Sequence, residues 1–287
     1  MSAAPQSTQD TPHAMLARAR TFLFVPANRP ERIAKAFATG ADQIIVDLED
    51  AVVAADKAAA RSALRGWLDT NPGHRVVVRI NADGTQWHED DVAACTHPGV
   101  AAVMLPKAES GEVMERVHAR CGKMLLPIIE TAGGLDELAA IAGAEGCARL
   151  VFGKLDLAVE LGLEPDESDP AELAFLPWRA QLVLASKRAG LAQPVDGVFT
   201  LIGDSDGLTQ YARRARSHGF GAMLLIHPGQ VAVVRDTFTP SASERDWARR
   251  VCDAAAASGG AAVVDGRMID APVLARAQRI LDSYSGN

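Results

Sequence analysis

The chain has few cysteines, no surplus of basic residues and no long apolar run. Its four cysteines, Cys95, Cys121, Cys147 and Cys252, form no C-x-x-C pair in 287 residues. That argues against a disulfide framework, and small buried or half-buried thiols in a reducing compartment fit better. The formal net charge of −7 leaves no basic excess to displace counter-ions, so nucleic acid is not an expected partner. No window approaches the ~20 apolar residues of a membrane span. The first 14 residues contain no Lys or Arg and no apolar run, which excludes the patterns of secretory and transit peptides. Residues 1–17 are expected to form a flexible tail, and the protein is expected to be cytoplasmic. No G-x-G-x-x-G or G-x-x-x-x-G-K-[ST] motif occurs, which removes the usual nucleotide loops.

What the chain does contain is a folding composition, 48% hydrophobic and 23% charged, with eight short aliphatic runs. They lie at residues 21–27 (TFLFVPA), 43–50 (QIIVDLED), 75–81 (RVVVRIN), 101–107 (AAVMLPK), 123–130 (KMLLPIIE), 148–156 (ARLVFGKLD), 194–199 (PVDGVF) and 221–228 (GAMLLIHP). Most are apolar along their length, as parallel strands covered on both faces should be. Helix-like stretches separate them, the first opened by Asn28 as N-cap with Pro30 and closed by Gly40. Starts usually recur every ~25 residues, the length of a βα unit. The spacing predicts a (β/α)₈ barrel over residues 18–240 and a C-terminal helical extension or lid over 241–287, with a doubly wound open sheet as the competing topology. A polar insertion at residues 164–170 is a candidate mobile loop.

In such a barrel the chemistry sits at strand C-termini. The runs end in Asp47, Glu49 and Asp50, then Arg79 and Asn81, Lys107, Glu130, Lys154 and Asp156, and His227, while their interiors are nearly free of charge. Glu130 and Asp156 end consecutive runs, and neighbouring strands lie ~4.8 Å apart, so the two carboxylates can converge. Two converging anions call for a cation, and an oxygen-only donor pair suits Mg²⁺. The alternative is that each caps a helix or pairs with Arg79 or Lys154. Arg79 offers a fork to a carboxylate or oxyanion, or pairs structurally with Glu49. His227 is either an acid/base or a packed histidine, and Asp206 reads as an N-cap.

The strand-end residues also form words: VPANRPERIAKA, VDLEDAV, VVRIN, LPKAES, IETAGG, FGKLDLAVELG, LLIHPGQ and GRMIDAPVLARA. In this order, from Arg20 to Leu281, the chain resembles the citrate lyase β-subunit-like proteins of the wider group of HpcH/HpaI aldolases and malyl-CoA lyases. The resemblance implies a TIM barrel with Mg²⁺ held by Glu130 and Asp156. It implies that Arg79 contacts a 2-oxo acid or thioester oxygen, with Glu49 and Asp47 supporting it. It implies that Arg29 and Lys35 lie near coenzyme A, and that Asp270 is donated to a neighbouring subunit's site within a homotrimer or hexamer. The implied reaction is Claisen-type cleavage or condensation of a 3-hydroxyacyl-CoA, such as malyl-CoA or citryl-CoA, into a 2-oxo acid and an acyl-CoA. Thioester hydrolysis, a CoA-independent 4-hydroxy-2-oxo acid aldolase, and a subunit of a multi-protein citrate lyase are the alternatives. Two positions depart from the family pattern. Ala27 stands where glycine is usual, and Lys154 stands where a small residue is usual; a cation there could bind substrate carboxylate or narrow the pocket.

Overall fold

The structure is a computed structural model that describes residues 11–163, 169–258 and 262–285. Eight parallel strands close into a barrel: β1 (Thr21–Pro26), β2 (Gln43–Asp47), β3 (Val76–Arg79), β4 (Val100–Leu105), β5 (Met124–Ile129), β6 (Val151–Phe152), β7 (Val195–Asp196) and β8 (Ala222–Leu225). Closure is made by β1, which pairs in parallel with both β2 and β8. Each strand coincides with one of the eight aliphatic runs, β4 starting one residue early at Val100, because both faces are covered. Phe22, Ile45, Val77, Met104, Leu126, Val151 and Leu224 fill the interior, while helices cover the outside. The open-sheet alternative is therefore set aside.

The observed strands are shorter than the aliphatic runs, most of all at β6. Residues 148–156 read as one strand, yet only Val151–Phe152 is extended, and Lys154–Leu161 is helical. Asp156 thus lies in the first turn of a helix rather than at a strand end. The chain turns at Gly153, where a Cβ would collide with Cβ and Oε2 of Glu130. Only glycine leaves room for the Glu130 side chain against this turn.

Several local expectations need correction. Pro30, not Asn28, is the N-cap of the helix Glu31–Phe37, although Gly40 does follow it in the left-handed region at φ 73°. Asp204, not Asp206, caps the helix Ser205–Ser217, its Oδ1 accepting from the Gly207 N–H at 2.9 Å. A helix at His88–Ala94 has no apolar stripe to announce it; it is held by buried Asp91, which binds Asn81 and Arg61. Residues 12–17 are not a loose tail but most of the helix Pro12–Arg18, capped by Thr11 and anchored by buried Leu16. Buried Arg149 donates to the carbonyls of Leu16, Ala19 and Gln193, which ties this helix to the start of β6. Residues 1–10, most of the insertion at 164–170 and the Gly259–Gly260 pair lie outside the described residues. Among the described residues no helix is long and apolar enough to cross a membrane.

The chain divides into two compact units, Met1–Val234 and Arg235–Asn287. The division falls inside the helix Gln230–Phe238, a few residues before the expected boundary at 240. In the second unit the helices Ala242–Ser258 and Ala271–Ser285 flank a two-stranded antiparallel hairpin, β9 (Ala262–Val264) and β10 (Arg267–Ile269). Ala248, Val251, Ile269, Ala277 and Ile280 form its core.

Candidate active site

A cavity of about 740 Å³ opens at the C-terminal ends of the strands. Its floor is apolar, with Leu23, Ile128, Val198 and Leu224 among the lining residues, and its polar wall includes Asp47, Asp50, Arg79, Glu130 and Asp156. This is the usual place for barrel chemistry.

Arg79 is fixed before any ligand arrives. Its Nε and Nη2 donate to Asp47 Oδ1 and Oδ2 at 2.8 and 2.6 Å, a two-point fork. Asp47 is itself held by the backbone N–H groups of Glu49 and Ala51. The guanidinium lies 4.8 Å from the centre of the Phe24 ring, and Nη1 sits 3.0 Å from Glu49 Oε2. Burial works against the charge on Arg79, but Asp47, Glu49 and Asp50 outweigh it and hold the pKa above its ordinary value. Both readings of Arg79 therefore hold in part: it is a structural ion-pair partner and it also lines the cavity.

Glu130 follows β5 and is 4% exposed. Its Oε1 accepts from the Lys107 N–H at 2.9 Å. Burial, and then Asp156 beside it, pushes its carboxyl up to about 8. Glu49 is pushed up to about 7, chiefly by burial, with Arg79 pulling the other way. Its Oε2 is buried and makes no hydrogen bond. Two facing carboxylates, one of them buried, suit a cation. Among the described residues no group of three or more His, Cys, Asp or Glu is placed to hold a metal ion. A two-carboxylate donor set is what Mg²⁺ tolerates, since it keeps several waters and takes other oxygens from substrate. The residues present fit Mg²⁺.

Lys154 lines the cavity, where a cation is expected to bind substrate carboxylate or narrow the pocket. Although it borders the cavity, its ammonium is fully buried and donates to Glu172 Oε1 at 2.8 Å, and it lies 5.0 Å from the centre of the Tyr211 ring. Glu172 also pairs with Arg179 at 2.7 Å, and Arg179 reaches Asp196 and Tyr211. The cation that departs from the family pattern is thus a partner in an internal network. Losing one member of a buried pair costs about 3 kcal/mol. Lys154→Met should therefore lower the thermal midpoint by roughly 10 °C, and adding Glu172→Gln should recover part of that loss. An unchanged midpoint with a raised KM would restore Lys154 to substrate binding.

The remaining sites divide. Lys35 lines the cavity together with Arg32, one turn earlier on the same helix face. Arg29 is exposed and is not among the lining residues. Arg32 was legible as the i−3 partner of Lys35 but was not singled out. His227 is exposed at the cavity rim, which removes the packed reading. Asp270 heads the helix Ala271–Ser285 and accepts from the Val273 N–H at 3.0 Å. Lys107, noted only as a strand-end cation, stands 3.6 Å from Glu49 and 3.7 Å from Asp156. Cys95, Cys121 and Cys147 are buried, Cys252 is half-buried and all four are free, as their spacing suggested.

An eight-stranded barrel with an arginine fork and paired carboxylates at its mouth defines a TIM-barrel protein with an acidic, anion-ready site. The profile of the HpcH/HpaI aldolase/citrate lyase family matches residues 20–228. A citrate lyase subunit beta-like protein of Mycobacterium tuberculosis is 40% identical over 265 residues, covering 91% of this chain and 93% of that one. A (3S)-malyl-CoA thioesterase of Cereibacter sphaeroides is 34% identical over 258 residues, covering 88% and 89%. The crystal structure of the CitE protein of M. tuberculosis in complex with magnesium, acetoacetate and coenzyme A superposes with a TM-score of 0.80 at 38% identity, covering 94% of this chain and 99% of that one. The chain belongs to the HpcH/HpaI aldolase/citrate lyase family.

Proposed function

We propose that the protein is a Mg²⁺-dependent carbon–carbon lyase acting on a 3-hydroxyacyl-CoA such as malyl-CoA or citryl-CoA, releasing a 2-oxo acid and an acyl-CoA. The observation that carries this reading is the placing of Glu130, Asp156 and the preorganised Arg79 fork around one cavity. Magnesium and coenzyme A in the M. tuberculosis relative support it. Glu130 and Asp156 would hold the metal, which when bound supplies Lewis-acid polarisation of a substrate oxygen. Arg79 keeps its charge at every working pH and donates to the oxygen that gains charge as the bond breaks. Asp47 and Glu49 fix its direction. Lys35 and Arg32 present two cations at the cavity for the phosphates of CoA. In cleavage the substrate hydroxyl gives its proton to water and the C–C bond to the thioester α-carbon breaks, leaving the carbonyl of the 2-oxo acid. The electron pair moves into the thioester, and a proton returns to the α-carbon. Asp270 of a second copy is the group assigned to that last proton, on the family resemblance, in a homotrimer or hexamer.

A second reading, hydrolysis of a malyl-CoA-like thioester, is favoured by the C. sphaeroides relative. Product analysis of a small panel of 3-hydroxyacyl-CoA esters separates the two. A lyase yields a 2-oxo acid and an acyl-CoA, whereas a thioesterase yields free CoA and the hydroxy acid. Asp270→Asn should leave fold and Mg²⁺ binding intact and remove most turnover; normal turnover would take Asp270 out of the mechanism.

A further inference from the structure

No step of the proposed reaction uses Lys107, yet its backbone is set for a purpose. Among the described residues only Lys107 (φ 47°) and Asp265 are non-glycine residues in the left-handed region. A long side chain adopts that conformation only where its surroundings over-determine it. Here the twist aims the Lys107 N–H at Glu130 Oε1, 2.9 Å away. It also lays the ammonium between Glu49 Oε1 at 3.6 Å and Asp156 Oδ1 at 3.7 Å. Neither distance is a hydrogen bond, and the side chain is 43% exposed, so the ammonium is loosely held. Lys107 does not line the main cavity. It lines a second one, of about 330 Å³, with Thr131, Val159 and Glu160. The two cavities share Glu130, Leu155 and Asp156. The ammonium therefore meets Asp156 without lining the main cavity, and the residue that carries it borders the second one.

We propose that Lys107 is a tethered counter-ion that stands in for the divalent metal in the metal-free chain and withdraws into the side cavity when Mg²⁺ binds. This rests on the assignment of Glu130 and Asp156 to Mg²⁺. A single, loosely paired ammonium neutralises part of the charge of Glu49 and Asp156 and yields to a divalent ion, whose attraction for Asp156, the carboxylate that both cations share, is about double at equal distance. The backbone N–H that holds Glu130 stays in place as the side chain moves, so one metal-binding carboxylate keeps its orientation.

The test is calorimetric titration of MgCl₂ into the metal-stripped full-length protein. Lys107→Met, which keeps the backbone N–H, should bind Mg²⁺ at least about tenfold tighter than wild type, because a competing cation is gone. Its metal-stripped form should melt lower than wild type, and saturating Mg²⁺ should close that gap. Equal or weaker Mg²⁺ binding by the variant would overturn the proposal, weaker binding meaning that the lysine helps to hold the metal. Limited labelling of wild type with an amine-reactive reagent, read by peptide mass spectrometry, covers the case of a variant that does not fold. Labelling of Lys107 should rise several-fold on adding Mg²⁺, and an unchanged or lower rate overturns the proposal. If wild type and Lys107→Met both fail to bind Mg²⁺, the metal site itself is wrong and the counter-ion falls with it.

Discussion

Asp156→Asn and Glu130→Gln should each abolish Mg²⁺-dependent turnover and weaken Mg²⁺ binding by at least about 100-fold. The floor comes from outer-shell partners, whose loss alone costs 10–100-fold in affinity; losing a direct oxygen ligand costs more. Neither variant should unfold the chain. Asp156 is 42% exposed, so its replacement leaves the fold nearly unchanged, and it removes a repulsive neighbour from Glu130. Glu130 is buried, and as a neutral Gln it still accepts from the Lys107 N–H. Binding should also depend on pH. In the metal-free chain burial holds the Glu130 proton up to about pH 8, whereas only the ionised carboxylate binds a metal. Apparent affinity should therefore rise as pH increases towards 8 and level off above it, with proton release visible in buffers of different ionisation enthalpy. The sign for stability is opposite. Between pH 4.5 and about 8 the folded metal-free chain holds a proton that the unfolded chain has lost, so its stability falls as pH rises through that window. Saturating Mg²⁺ should remove the fall. A pH-independent Mg²⁺ affinity would mean that Glu130 is not a ligand.

The metal pair shows what sequence could and could not reveal. The aliphatic runs marked all eight strands because each parallel strand is buried on both faces, and polar residues gathering at one end marked the catalytic mouth. Both residues proposed for the metal border one cavity, but not as adjacent strand ends: Asp156 reaches it from a helical turn that begins once the chain passes Gly153. Apolar character cannot separate a two-residue strand from the helix that follows when both are buried. Lys154 borders the cavity, but its ammonium turns to Glu172. That partner lies 18 residues away, beyond any local pattern. Lys107 reads from sequence only as a strand-end cation, because no residue type advertises its left-handed backbone. The helix Pro12–Arg18 was missed because seven residues with one buried leucine, Leu16, carry no period.

Arg79→Lys should cut kcat by about 100- to 1,000-fold while leaving Mg²⁺ affinity near wild type, the size of effect seen when one preorganised oxyanion donor is removed. The charge survives in this variant, so the loss isolates geometry. Lysine cannot make the two-point fork with Asp47 that now fixes the guanidinium plane, nor stack flat on Phe24. Arg79→Ala is the less informative variant. It would strand buried Asp47 without a cation and leave buried Glu49 only the loosely held Lys107 ammonium, at a cost of about 3–5 kcal/mol, so lost activity could reflect lost fold. Asp47→Asn completes the argument. Asn keeps an acceptor oxygen for one arm of the fork but turns an amide towards the other, so Arg79 stays charged and loses its aim. If Arg79 acts on the oxygen that gains charge, Asp47→Asn should lower kcat more than it raises KM. Wild-type kcat in Arg79→Lys would instead mean that the arginine only neutralises Asp47 and Glu49, leaving charge stabilisation at the reacting oxygen to the metal.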